Sequence, residues 1–216
     1  PYRALPCAPL NDGFTHQRSD AFDLHIIAGL CQRDPNDVMR GEETQIAGFL
    51  ALNPNWDGVI CLPGTHSKWA QVSAGEVISF QTFMTGELFS LLAGQSVLRH
   101  SVQGDGWDDA AFDAGVDTAL SRPEKLAARL FSIRADDLLA DVAAASARAG
   151  LSGLLIGAEL AAARPYWLGQ DVAIIGADAP AGLSARPLST QAAPATLAYP
   201  PRMTPAGLAA PRPLYN

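Results

Sequence analysis

Gly58-Val59-Ile60-Cys61-Leu62-Pro63-Gly64-Thr65-His66-Ser67-Lys68-Trp69-Ala70-Gln71-Val72 is the stretch from which the architecture can be read. Its first part is a continuous apolar run, the pattern of a strand covered on both faces. Gly64 to Ser67 reads as a turn, and Lys68 to Val72 alternates as a second strand. Ser73-Ala74-Gly75-Glu76 is a further turn, and Val77 to Phe83 a third strand. Three consecutive strands joined by tight turns predict an antiparallel meander. Upstream, apolar positions 46, 49, 50 and 52 suit a helix starting just after Gly41. Residues 23–30 read as one short buried strand ending at Gly29, preceded by a turn signal at Asn11-Asp12-Gly13 and followed by a polar separator, Gln32 to Asp37. Downstream, helical patterns run over 86–99, 107–120, 123–131, 135–149 and 151–164, and Asp171 to Gly176 reads as one more buried strand. Residues 180–216 hold eight of the sixteen prolines and no acidic residue, which predicts an irregular tail.

The composition narrows the function classes. The chain has 216 residues, 48% of them apolar and 17% charged, enough to bury a sizeable core. Acids outnumber bases 22 to 15, so the basic footprint of a sequence-independent nucleic-acid binder is missing. No apolar run approaches the roughly 20 residues of a bilayer span, and no basic stretch followed by an apolar run opens the chain. Neither a membrane anchor nor a signal peptide is expected, and a cytoplasmic location follows. Cys7, Cys31 and Cys61 form no CxxC pair, which argues against a disulfide framework and a structural zinc site. The four histidines form no H-x-x-x-H pair, no Gly-x-Ser-x-Gly elbow is present, and no metal ligand is assigned.

Several segments could carry chemistry, each beside a plainer reading. Gly64-Thr65-His66-Ser67-Lys68 combines a glycine, two hydroxyls and a cation in a turn between strands, a set suited to phosphate. It lacks Walker spacing, and a hairpin turn with a solvated lysine explains it equally. Arg40-Gly41-Glu42-Glu43 offers a carboxylate base with an arginine for an anionic group. Two acids in the first turn of a helix are also favoured by its dipole alone. Thr85 in Met84-Thr85-Gly86-Glu87-Leu88 reads as the N-cap of a helix. Gly153 and Gly157, four apart on an apolar helix, read as a close helix-packing face. Gly176-Ala177-Asp178 follows a buried strand and could bring backbone close to a nucleotide.

In order and spacing, residues 38–45, 62–69, 84–88 and 152–159 resemble the signatures of the 2-keto-3-deoxygalactonokinases, sugar-acid kinases of the actin/hexokinase-like ATPase superfamily. The resemblance runs from about Pro6 to Asp178. It implies an α/β, ribonuclease H-like fold of two lobes, each with a phosphate turn, and a reaction cleft between them. Residues 1–40 would then be a remnant of the first lobe, and 41–179 the second, nucleotide-binding lobe, a mixed sheet with the meander flanked by helices. The Pro-rich 180–216 does not resemble the family. The family's opening Asp-x-Gly-Ser/Thr turn is not found either, so an incomplete first lobe and a fragment are expected.

The resemblance also implies chemistry: transfer of the ATP γ-phosphoryl group to the 6-hydroxyl of 2-keto-3-deoxy-galactonate, with Mg²⁺ bridging the phosphates. It assigns catalysis to Glu42, as general base, and Lys68. Nucleotide contacts fall to Gly64, Thr65, His66, Ser67, Gly176 and Ala177, and sugar-acid contacts to Arg40, Glu43, Thr85, Gly86 and Glu87. The expected partners are a small sugar acid and ATP, with neither nucleic acid nor membrane, and a homo-oligomer is admitted. A different class fits the same residues: a non-catalytic binding or assembly module that keeps the lobe fold without the first phosphate turn.

Overall fold

The computed structural model describes residues 1–10, 14–193 and 195–209. The turn expected at Asn11-Asp12-Gly13 lies outside them. The chain opens with strands β1 (Tyr2–Ala4), β2 (Phe14–Arg18), β3 (Asp23–Ile27), β4 (Gly29–Arg33) and β5 (Asn36–Met39). β4 lies between β1, which runs parallel to it, and β5, which runs antiparallel. β2 and β3 form a separate antiparallel hairpin. The single buried strand expected over 23–30 is therefore two strands in two sheets. Asp23–Ile27 is largely exposed and pairs with β2, and the chain changes sheets at Ala28. Gly29 permits the change, because a Cβ there would lie 2.4 Å from the Met39 carbonyl oxygen. The polar separator 32–37 is the end of β4 and the start of β5, with its turn at Asp34-Pro35.

Helix α1 (Glu42–Leu52) begins where expected, after Gly41 at φ +109°, a conformation that glycine adopts without strain. The meander follows as β6 (Gly58–Leu62), β7 (Ser67–Ser73) and β8 (Glu76–Phe83), every β6 residue buried. With β9 (Val172–Ile175) and β10 (Ala195–Ala198) it makes a mixed sheet in the order β10-β9-β6-β7-β8, β9 running parallel to β6. Alternation along β6 and β7 splits the core in two. Ile60, Leu62, Ala70 and Val72 pack with Ile46 and Phe49 of α1. Val59, Cys61 and Trp69 pack on the other face with Leu160, Trp167 and Leu188.

The helical region comprises α2 (Thr85–Gln95), α3 (Arg99–Val102), α4 (Asp109–Ser121), α5 (Leu126–Ala140), α6 (Ala144–Ala162) and α7 (Arg164–Trp167). Two expected breaks move. Residues 126–140 are one helix, closed by Asp141 at φ +51°, and Gly150 lies inside α6 rather than between helices. The packing reading of the glycines holds: a Cβ on Gly153 would fall 2.1 Å from the Phe112 carbonyl oxygen of α4, and one on Gly157 2.5 Å from that of Val116.

The tail corrects the largest expectation. Residues 178–190 form α8 (Asp178–Thr190), β10 extends the main sheet, and α9 (Pro200–Ala209) packs on α1. Pro180 and Pro200 sit in first turns, where no intrahelical hydrogen bond is lost. Pro187 and Pro205 lie inside their helices, and tertiary burial outweighs their cost: Ala181, Leu188 and Met203 are all in the core. Gly48 and Gly207 let α1 and α9 approach closely, a Cβ on Gly48 falling 1.8 Å from the Met203 carbonyl oxygen. Among the described residues no helix is long and apolar enough to cross a membrane.

Candidate functional site

The turn between β6 and β7 is held from two sides. On one, the N-terminus of α2 docks against it. The Glu87 amide donates to the Thr65 carbonyl at 2.9 Å, and a Cβ on Gly86 would fall 2.3 Å from the Gly64 carbonyl oxygen. His66 Nε2 and Glu87 Oε2, 2.6 Å apart, close the same contact at the surface. On the other side stands the first turn of α1. Gly64 itself faces open space, with nothing within 4 Å of where its Cβ would be.

Two cavities flank this turn and share Pro63, Gly64 and Thr65 as a common wall. The larger, about 430 Å³, lies between the turn, α2, α6 and the start of α8, and includes Ser67, Thr85, Gly86 and Glu159. The smaller, about 350 Å³, is walled by Glu42 and Gln45 of α1 together with His66, Gly176 and Ala177. Both volumes lie in the range of small-molecule sites.

The paired carboxylates have opposite fates. Glu42 opens onto the smaller cavity. Its Oε2 accepts from the Arg40 amide at 2.9 Å, and its Oε1 lies 3.8 Å from Lys68 Nζ. Glu43, expected at the sugar acid, turns inward and is 2% exposed. It accepts from the Gly41 amide at 2.6 Å and from the Thr44 hydroxyl, and burial pushes its carboxyl above the usual range despite those bonds. Successive helical residues point about 100° apart, so only one of the pair can face the cavity. Lys68 is buried beneath Glu42 and lines neither cavity, unlike the solvated lysine of the plainer sequence reading. The Arg40 guanidinium lies 4.6 Å from the Tyr2 ring centroid and donates to the Pro1 carbonyl, outside the wall of the smaller cavity.

Thr85 and Gly86, expected at the sugar acid, border the larger cavity. Thr85 is also not the N-cap. Met84 holds that position, and the Thr85 hydroxyl donates to Glu159 Oε2. Glu159 is the residue that sequence reasoning passed over. It is 6% exposed on α6, and its carboxylate gathers the Trp69 indole N–H at 2.8 Å, the Thr85 hydroxyl and the Ser67 hydroxyl. Desolvation raises its pKa, and the three donors only partly offset that. One buried acid thereby ties the phosphate-suited turn, the meander and α2 to the helix behind them. The available signal was an acid at the end of the otherwise apolar Gly153–Leu160 run.

The comparisons with known proteins bear on the whole arrangement. The profile of the 2-keto-3-deoxy-galactonokinase family matches residues 1–210, which takes in the ordered tail. A Rhizobium meliloti (strain 1021) protein named Probable 2-dehydro-3-deoxygalactonokinase DgoK1 is 47% identical over 146 residues, 65% of this chain and 48% of that protein. The 2-dehydro-3-deoxygalactonokinase of Escherichia coli (strain K12) is 38% identical over 168 residues, 77% of this chain and 56% of that protein. A crystal structure of a Sinorhizobium meliloti protein carrying the same kinase designation superposes with a TM-score of 0.91 at 38% identity, covering 97% of this chain and 72% of that one. The chain spans about half the length of the curated relatives it matches. With residues 1–210 matched by the family profile, the chain belongs to the 2-keto-3-deoxy-galactonokinase family.

Proposed function

We propose that the whole protein is a sugar-acid kinase that moves the γ-phosphoryl group of ATP to the 6-hydroxyl of 2-dehydro-3-deoxy-D-galactonate. The observation that carries this reading is the shared wall. One glycine-containing turn stands between a cavity of nucleotide size and a second cavity holding a carboxylate. ATP occupies the larger cavity, with Thr85 and Gly86 beside it, and its phosphates cross at Gly64-Thr65-His66-Ser67. The open space at Gly64 is what a phosphate approaching backbone amides needs. The sugar acid enters the smaller cavity beside Glu42, whose wall includes Gly176 and Ala177, the residues that the resemblance assigns to the nucleotide. These residues belong to the second lobe of an actin/hexokinase-like pair, 41–179 extended by the ordered tail, and residues 1–40 belong to the first.

Glu42 takes the proton from the 6-hydroxyl as that oxygen bonds the γ-phosphorus and the bond to the departing ADP breaks. Lys68, 3.8 Å away and buried, fixes the direction of the Glu42 carboxylate. Mg²⁺, when bound, neutralises phosphate charge. The donors suit an ion held mainly by phosphates and water, with Glu42 the carboxylate beside the turn. That reaction belongs to galactonate catabolism, and a cytoplasmic location goes with it.

The test measures ADP formation by the whole protein with ATP and 2-dehydro-3-deoxy-D-galactonate, with the product's phosphate ester located by ³¹P–¹H correlation. Turnover with the ester on C6 supports the proposal. Nucleotide binding without turnover would favour a non-catalytic module, and an ester elsewhere would mean that another hydroxyl faces Glu42.

A further inference from the structure

We propose that the β2–β3 hairpin carries a site for a borderline-soft divalent transition metal, zinc by preference, formed by His16, Asp23 and His25. The register brings the three together. His16 pairs directly with His25 across the hairpin, and Asp23, two residues before His25, projects from the same face. Their ligand atoms, two imidazole nitrogens and a carboxylate oxygen, all lie within 4.8 Å of one another. His25 Nε2 is 3.6 Å from Asp23 Oδ1, and His16 Nε2 already hydrogen-bonds the same carboxylate. A tetrahedral ion with bonds of about 2.0–2.1 Å holds its ligands about 3.3 Å apart, so little movement is needed to seat one. The two imidazole rings lie 4.6 Å apart, tilted by 33° to one another.

Two nitrogens and one oxygen are the donor set of open zinc sites, which leaves a fourth position for water or a further ligand. Arg18 pairs with Asp23 in the register and shares this face. The hairpin has reason to need a clamp. It pairs with no third strand among the described residues, and a two-stranded ribbon is marginal in water by itself. An ion bridging both strands stabilises the folded hairpin by its binding free energy. None of the three residues lines either cavity at the β6–β7 turn, so the ion acts as a staple separate from the transfer chemistry. A search for H-x-x-x-H spacing misses the set, because its histidines are nine residues apart and meet only through the pairing register.

The test uses the untagged 216-residue chain, stripped with a chelator and titrated with Co²⁺, followed by displacement with Zn²⁺. One equivalent of Co²⁺ is expected to give visible ligand-field bands that zinc abolishes. His16→Ala, His25→Ala and Asp23→Asn are each expected to weaken binding at least about tenfold, the least that loss of a direct ligand should cost when outer partners alone cost that much. Circular dichroism is expected to stay unchanged, because all three residues are exposed. Absence of the bands, or a His16→Ala/His25→Ala double variant that titrates like the parent, would overturn the site.

Discussion

Glu42 and Glu43 are adjacent in sequence, yet only Glu42 meets a cavity. Glu42→Gln in the whole protein is expected to lower kcat by about 10²–10⁴-fold with little change in KM, the worth of a positioned base. Glu43→Gln should leave kcat within a few-fold, because its carboxyl is spent on the Gly41 amide and the Thr44 hydroxyl. Steady-state kinetics on the pair checks this, and equal small losses would remove Glu42 from the chemistry. Glu159 invites a different measurement. Its folded pKa is raised above the ordinary 4.5, so between the two values the folded chain binds more protons than the unfolded one. Its share of stability is therefore present at low pH and lost as pH rises through the folded value. Glu159→Gln stays neutral and keeps an acceptor for the Trp69 indole, so its stability should fall less than the parent's above pH 4.5 in denaturant titrations. Glu159→Ala orphans buried donors and should cost about 1–3 kcal/mol. A parent and a Glu159→Gln variant with the same pH slope would mean that the acid is not desolvated as described. The sequence showed where an acid stood in an apolar helix, but not that three donors from distant elements would converge on it.

At the scale of elements, patterns with a local cause were legible and those with a tertiary cause were not. The β6–β7–β8 meander and the start of α1 follow from alternation, turn residues and Gly41, and the structure has them at nearly the same bounds. The tail was misread because prolines and the lack of alternation outweighed what local patterns can register. Its last helix, α9, is held by small residues meeting backbone, Gly207 against the Thr44 carbonyl and Gly48 against that of Met203. Such contacts leave no periodic apolar trace. The break after α5 falls at Asp141 in the left-handed region, whereas Gly150, the residue that looked like a stop, lies inside α6. The α4–α6 crossing gives the sharpest test. Gly153→Ala would put a methyl 2.1 Å from the Phe112 carbonyl oxygen, and backbone on both sides leaves no flexible side chain to give way. It is expected to cost about 1–3 kcal/mol, the usual cost of overpacking, seen as a lower midpoint in chemical denaturation. Gly94→Ala, on α2 with open space at its Cβ, serves as the control and should be neutral or slightly stabilising. Equal effects at the two positions would mean that helix propensity, not helix contact, sets the cost.

For the whole molecule, the decisive arrangement is a turn that walls two cavities, and neither cavity could be read from the motif that forms the turn. The resemblance assigns Thr85, Gly86 and Glu87 to the sugar acid, and the docking of α2 on the turn sets Thr85 and Gly86 beside the larger cavity. That geometry has a consequence for the 216-residue chain itself. The larger cavity is bounded by α2, α6, α8 and the turn, all elements of this chain, so nucleotide binding should not depend on the remainder of the longer relatives. ATP at about 100 times its Kd stabilises a folded chain by about 2.7 kcal/mol. For a domain of this size that is a rise in Tm of about 5–10 °C. The sugar acid alone should shift Tm far less, since its cavity is small and polar and opens at the edge of the turn. Gly64→Val isolates the cause. Its side chain would enter open space rather than protein, so the unliganded Tm should hardly move, while the room beside the backbone amides is filled. The expected result is a parent that ATP stabilises and a Gly64→Val variant that it does not. An ATP-induced shift of equal size in both would place the nucleotide away from the turn, and with it the phosphoryl group away from Glu42.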